Sequence, residues 1–306
     1  MNGLLPAIAD AQEGLFTATD ATRAGLDHAG LGRLLRQGKC RRLTHGVYSV
    51  RDAGPRPVDD HAALAKAVLM RYRGRAVASH LSAVVLHRLP VYRVDLRTVH
   101  LTSLTPTNSR RRREVRLHRL VPGGGLARVG PWPTVSVAVA LVQLAAMTSV
   151  GSAVVSVDAA LHSGLVTTNA LNAAMELLAG RVHTAIVRPV LDHADGRSES
   201  PGESLVRVGL TVRGLRLVPQ VRITDRQGRV IARVDLLVEG TMVVIEFDGM
   251  VKYRGEGGEA ALIQEKLREN ELRRMGYTIV RVTWSDLSDL DALAARVRDA
   301  VAQSRP

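Results

Sequence analysis

At 306 residues the chain is too long for one ordinary domain and suits two or three, and its 46% of apolar residues builds normal cores and excludes wholesale disorder. One cysteine, Cys40, excludes an internal disulfide framework and any Cys-based zinc cluster. Forty-two bases, 38 of them Arg, against 29 acids give a formal charge of +13; residues 1–150 hold 22 bases and 9 acids, while residues 151–306 hold 20 of each. A surplus confined to one half implies a polyanion-binding module joined to a neutral one. The opening MNGLLPAIADAQEG lacks a basic stretch leading into an apolar one, so no secretory signal is expected and a cytoplasmic location fits.

Residues 1–55 are expected to form a winged helix-turn-helix. Leu4, Leu5, Ile8 and Ala9 recur at helical spacing, and Gly14-Leu15-Phe16 breaks that helix. Thr17 is placed to cap a second helix running to Ala24, and Asp27 a third through Leu31, Leu34 and Leu35 that stops at Gly38. CRRLTHGVYSV then alternates about a His-Gly turn, as a β-hairpin does. In such a layout the third helix enters the major groove and the wing lies on the backbone. The candidate DNA readers are His28, Arg33 and Arg36 on the third helix, with Lys39, Arg41, Arg42 and His45 leading into the wing. Arg takes guanine bidentately or pairs with phosphate. Solvated bases on a protein-binding winged helix are the alternative, but charge, motif and spacing agree on DNA.

DAGPRPVDD, residues 52–60, reads as a linker, and residues 56–195 as a mixed α/β domain. A helix over 61–72 precedes a second one, capped by Ser79 and carrying Val84, Val85 and Leu86. Strands at 97–102 and 115–120 flank a loop with Arg110, Arg111, Arg112 and Arg113, which is either a phosphate clamp or plain exposed surface; beside a winged helix, phosphate contact is favoured. The ten histidines form no ligand pair such as HExxH, and His80 and His87 read as packing or capping residues. Pro122-Gly123-Gly124-Gly125 is a loop without the Lys and Ser/Thr that a phosphate-binding loop needs. Pro131–Val157 runs 27 residues without a charge, long enough to cross a bilayer. Its Pro133, Gln143, Gly151 and several hydroxyls instead predict two buried helices meeting near Thr148–Gly151, and no membrane span. A helix over 168–179 follows, and the polar stretch 192–202 closes the domain.

Residues 198–306 carry the candidate chemistry. Glu203 opens a helix, two strands follow at 217–223 and 230–238, and a third reads MVVIEFD. With Gly240-Thr241 as the turn, counting back sets Asp235 directly opposite Glu246 on one face. Two such carboxylates repel unless paired or bridged by a cation. Mg²⁺ or Mn²⁺ between them, with a Lys close by, is how metal-dependent nucleases activate water. Lys252 is the candidate ammonium and Lys266 the reserve; the alternative is that Glu246 and Asp248 pair with Arg233 and Arg281.

VDLLVEGTMVVIEFDGMVKY and EKLRENELRRMGYTIVRVTWSDL, over about residues 199–288, resemble the endonuclease domain related to very-short-patch-repair enzymes in the PD-(D/E)XK superfamily. The resemblance implies a nuclease fold with Asp235 and Glu246 as metal ligands, Glu203 as the helix acid, and Lys252, Lys266 and Arg268 as its basic positions. The chain departs from the strict motif: Val234 replaces the Pro before Asp235, and Asp248 stands in the usual Lys place. GLFTATDATRAGL, LLRQGKCRRLTHGVYSV and ASHLSAVVLHRLP resemble the abortive-infection type IV antitoxin (AbiEi) family. That resemblance implies DNA binding, autoregulation and a nucleotidyltransferase-like toxin as partner. Two functions follow: a Mg²⁺-dependent DNA endonuclease carrying its own reader, or an antitoxin-like regulator whose nuclease fold no longer cuts.

Overall fold

The computed structural model describes residues 4–105, 109–112, 114–121, 123, 125–180, 184–249 and 258–304, the side chains of 110–112, 184 and 258–265 excepted. Contacts divide the chain into two compact units. One runs up to Met147 and takes back Asn169–Thr184; the other holds Thr148–Thr168 and the chain from Ala185 onward.

The first unit opens with α1 (Leu4–Ala11), β1 (Leu15–Thr17), α2 (Ala18–Arg23), α3 (His28–Arg36), β2 (Arg41–Thr44) and β3 (Val47–Ser49), the strands ordered β1-β3-β2. The expected caps form. Thr17 Oγ1 accepts the Asp20 N–H at 3.1 Å while the Asp20 carboxylate accepts the Thr17 N–H at 2.9 Å, a reciprocal box. Asp27 Oδ1 accepts the Gly30 N–H at 2.7 Å. Gly46 takes a left-handed φ of 73° in the wing turn, which a Cβ would disfavour. Phe16 stacks on Tyr48 at 5.4 Å among Leu5, Ala9, Leu31 and Cys40. Leu15–Thr17 is a strand and not merely a break, because it pairs with Val47–Ser49.

There follow α4 (Pro57–Tyr72), β4 (Ala76–Ala78), α5 (His80–Leu86), β5 (Val99–Ser103), β6 (Arg110–Arg112), β7 (Val115–His118), β8 (Leu126–Val129) and β9 (Trp132–Val135). These strands form one sheet ordered β6-β7-β5-β4-β9-β8. The expected linker is partly helical: Pro57 starts α4, with Asp59 and Asp60 in its first turn where the helix dipole favours acids. The N-terminal elements are tied to α4 and to Glu114 just ahead of β7. Arg71 donates to Thr44 Oγ1 at 2.8 Å, Thr44 Oγ1 donates to Glu114 at 3.2 Å, and Lys66 pairs with Glu13.

The charge-free segment forms α6 (Val137–Ala145) and α7 (Val150–His162), as expected, yet the two belong to different units. Among the described residues no helix is long and apolar enough to cross a membrane. The next helices are α8 (Thr168–Leu177) and α9 (Thr184–Asp192); the second was not among the expected helices and carries Pro189 inside it.

The second unit continues with α10 (Pro201–Thr211), β10 (Leu217–Thr224), β11 (Val230–Val238), β12 (Val243–Phe247), α11 (Gly258–Arg274), β13 (Thr278–Val282) and α12 (Leu290–Gln303). The sheet order is β10-β11-β12-β13: three antiparallel strands, then β13 parallel to β12 through the α11 crossover. Val244 clusters with Leu272 of α11, whereas a Cβ added at Gly202 of α10 would lie 2.0 Å from the Phe247 ring. Val244 and Phe247 point to opposite faces by strand alternation, so α10 and α11 cover opposite faces. α7 packs on α10 around a buried ion pair. Arg207 reaches Asp158 at 2.6 Å, with side chains 8% and 1% exposed. Arg207 also donates to Ser198 Oγ and the His193 carbonyl, and the Asp158 carboxylate accepts from Ser204 Oγ and the Asp195 N–H. Residues 193–198, read from composition as part of a closing linker, are therefore built into this core.

Candidate nucleic-acid interface and acidic site

The N-cap at Asp27 and the turn at Gly38 fix α3 so that Leu31 faces the core and the basic positions face out. His28, Arg33, Arg36 and Lys39 are exposed, and among the described residues Arg33, Arg36 and Lys39 form no ion pair. On the wing, Arg42 is exposed and its Nη2 lies 2.9 Å from His45 Nδ1. Arg41 is placed otherwise. Its guanidinium pairs with Asp60 at 2.7 Å and donates to the Arg51 carbonyl at 3.1 Å, which anchors the wing strand to α4. Arg110, Arg111 and Arg112 form β6, an edge strand paired with β7, and not the expected loop; Arg113 lies outside the described residues.

In the second unit the ladder between β11 and β12 pairs Leu236 with Ile245 and Leu237 with Val244. One step further the same register sets Asp235 opposite Glu246, as counted from the sequence, although the connection spans the turn residues 239–242. There the Asp235 carboxylate accepts the Phe247 N–H at 2.8 Å. Glu246 takes the Arg268 guanidinium at 2.9 Å, and Arg268 also donates to the Arg233 carbonyl at 3.1 Å. Glu203, 6% exposed at the start of α10, accepts from the Glu199 N–H at 3.0 Å and from Gln220 Nε2 at 2.8 Å. Of the two arginines considered as partners for the strand acids, Arg233 grips Glu199 with both Nη atoms, while Arg281, opposite Glu246 in the parallel ladder, pairs with Glu269 at 3.0 Å. Lys252 lies outside the described residues, and Lys266 is exposed on α11.

Gln220 and Arg268 join the acids without having been singled out as such by spacing. Pro219 pairs with Leu236 and Val221 with Val234, so Gln220 falls opposite Asp235, with a left-handed φ of 56° that a non-glycine residue adopts only when its surroundings hold it. A Pro-Gln step inside an apolar strand was the available signal. Asp235 and Glu246 are hard oxygen donors of the kind Mg²⁺ or Mn²⁺ takes, and Mg²⁺ commonly uses one or two carboxylates and fills the rest with water or phosphate. The pair fits such an ion in kind, but a cation must displace Arg268 from Glu246. Among the described residues neither acid belongs to a cluster of three ligand groups.

The family model described as "Transcriptional regulator, AbiEi antitoxin" matches residues 4–51, from α1 to β3. The chain is similar to the uncharacterised proteins MT2308 and Rv2248 from two strains of Mycobacterium tuberculosis, each 29% identical over 183 residues, or 60% of this chain. The alignment spans 63% of the length of those relatives. Among solved structures, the RV2827C protein from Mycobacterium tuberculosis shares 17% identity, covering 66% of this chain and 78% of its own, at a TM-score of 0.40, too weak a likeness to assign a fold.

Proposed function

We propose that the chain is a DNA-binding transcriptional regulator of the antitoxin type, read through its winged helix, whose C-terminal unit keeps nuclease-like acids in an ion-paired, non-cutting form. The observation that carries this reading is the regulator-family match over residues 4–51, on the segment where α3 presents His28, Arg33 and Arg36 to solvent. In this mechanism α3 lies in the major groove, Arg33 and Arg36 take base edges or phosphates, and Lys39, Arg42 and the Arg110–Arg113 run would add phosphate contacts. A nucleotidyltransferase-like toxin is the partner that the family resemblance suggests. Full-length protein should bind duplex DNA from its own promoter region, with log K falling linearly with log salt as counterions are released. Affinity that is flat across salt, or equal for promoter and random duplex, overturns the reading.

The register of Asp235 against Glu246 favours a second reading: divalent-metal-dependent DNA hydrolysis. Asp235 and Glu246 would hold Mg²⁺ or Mn²⁺, which supplies an activated water and offsets phosphate charge. In that reading Arg268 leaves Glu246, and Lys252 stands by the phosphate. Cleavage that requires Mg²⁺ or Mn²⁺, stops on chelation and disappears in Glu246→Gln while DNA binding persists would establish it. Wild-type protein that cuts neither single- nor double-stranded DNA leaves the regulator alone.

A further inference from the structure

Three imidazoles from separate elements of the first unit meet at one place. His80 opens α5, His100 lies in β5 and His118 ends β7. β5 and β7 run parallel with His100 opposite Arg116 and Thr102 opposite His118, so these four side chains share one face of the sheet. His80 lies against the same group: its ring stacks on His118 at 3.7 Å and sits 5.5 Å from His100. His100 Nδ1 and His118 Nε2 are 3.0 Å apart. One nitrogen from each of the three rings lies within 4.8 Å of the other two.

The surroundings hold this cluster in place. His80 has a left-handed φ of 50°, its N–H donates to Gln143 Oε1 at 3.0 Å, and its Nδ1 lies 3.0 Å from Ser79 Oγ. Ser79 sits at the N-cap, but makes no cap hydrogen bond through its side chain. The His100 N–H donates to Ser82 Oγ, which also meets His61 Nε2 at 3.0 Å. Beside them the Thr102 hydroxyl is buried at 2% exposure with no hydrogen-bond partner among the described residues. Buried polar atoms are almost always satisfied, so an orphan hydroxyl opposite His118 on the face of the cluster marks a place where a further group belongs. Burial first, then the neighbouring imidazoles and the Arg116 guanidinium, lower these pKa values: His80 well below its ordinary range, His100 to about 4 and His118 to about 3. An imidazole in its neutral form offers one ring nitrogen with a free lone pair.

We propose that His80, His100 and His118 form a three-histidine site for a first-row transition metal of the zinc class, with the fourth position left to water or to an anion beside Arg116. Neutral imidazole nitrogen is the donor that Zn²⁺, Co²⁺ and Ni²⁺ share, whereas Mg²⁺ and Ca²⁺ take oxygen, so this site is chemically distinct from the Asp235–Glu246 pair. Tetrahedral bonds of about 2.0–2.1 Å put ligand nitrogens about 3.3 Å apart. The His100–His118 nitrogens, 3.0 Å apart, part a little, the other donors, within 4.8 Å, close in, and the rings fan out of their stack so that each lone pair points at one centre.

Untagged full-length protein, stripped with a chelator and dialysed, is titrated with Co²⁺, whose tetrahedral complexes absorb visibly. One Co²⁺ per chain should bind, give those bands and be displaced by Zn²⁺. His100→Ala and His118→Ala should each weaken binding by at least about tenfold, while His162→Ala, an exposed control, leaves it unchanged. Wild-type protein without the bands in excess Co²⁺, or bands that survive both substitutions, overturns the site. Should the variants fail to fold by circular dichroism, the ring resonances of the wild-type protein decide. Perturbation of His80, His100 and His118 by the metal supports the site, and perturbation confined to exposed histidines overturns it.

Discussion

On α3, Arg33 and Arg36 stand exposed and, among the described residues, free of ion pairs, whereas in the second unit Arg207, Arg233, Arg268 and Arg281 each hold a carboxylate. The even balance of charge in residues 151–306 is therefore not just a mixture on a surface. It is built into pairs, some of them at the acids a nuclease would need. In the first half Arg23, Arg41, Arg56, Lys66 and Arg97 hold carboxylates too, but 22 bases against 9 acids leave a surplus on offer to a polyanion. Composition alone says which half is basic; the pairing says which half presents its charge.

The strongest test of this contrast is the deepest pair. Arg207→Ala leaves Asp158 buried and unpaired and should cost about 3–5 kcal/mol in denaturant unfolding, whereas replacing both partners by apolar residues of matching volume should cost far less. Burial already raises the Asp158 pKa despite Arg207, so losing Arg207 raises it further. Protonation then relieves the unpaired charge, and the deficit of Arg207→Ala should shrink as pH falls. A deficit independent of pH would mean that the charge is not the cause.

Next in size, Arg33→Ala and Arg36→Ala should each lower affinity for a cognate duplex by about 1–3 kcal/mol if they read bases. If they touch only phosphate, the loss is equal on all sequences and the salt slope drops by about one per residue. Binding isotherms over a salt series separate the two, and Arg233→Ala should change neither quantity. A loss for Arg233→Ala as large as that for Arg33→Ala would break the contrast outright.

Smaller effects follow at the caps. Asp20→Ala removes a reciprocal cap and should cost about 1 kcal/mol in thermal unfolding. Burial alone would raise the Asp20 pKa, but the Thr17 N–H and hydroxyl hold it below the usual carboxylate range. Its contribution is therefore present above the unfolded pKa and lost as pH falls through the lowered value; the variant should lack that part of the acid dependence. Smallest of all, breaking the exposed Arg233–Glu199 pair should shift stability by no more than about 1 kcal/mol.

The winged helix was legible because its signals are local: Thr17, Asp27, Gly38 and the His45-Gly46 turn each act on their own neighbours. The Asp235–Glu246 register was legible because, once the turn is placed, pairing is a matter of counting. What escaped depends on contacts far apart in sequence. Asp158 finds Arg207 49 positions away, which draws α7 and residues 193–198 into the second unit although their composition reads as middle domain and linker. The three histidines escaped for the same reason: it is the parallel pairing of β5 with β7, and not their spacing, that brings them together. β1 and β6 span three residues each, too short for a period to show.

The position of Gln220 also bears on how the folded protein avoids its own copies. β10 is an outer strand, and an uninterrupted outer strand offers a row of amides and carbonyls on which another chain could extend the sheet. Pro219 brings no amide to that row, and the left-handed turn of the backbone at Gln220 bends the line at mid-strand. The geometry that delivers the Gln220 side chain to Glu203 thus also leaves this border of the sheet a poor template for aggregation.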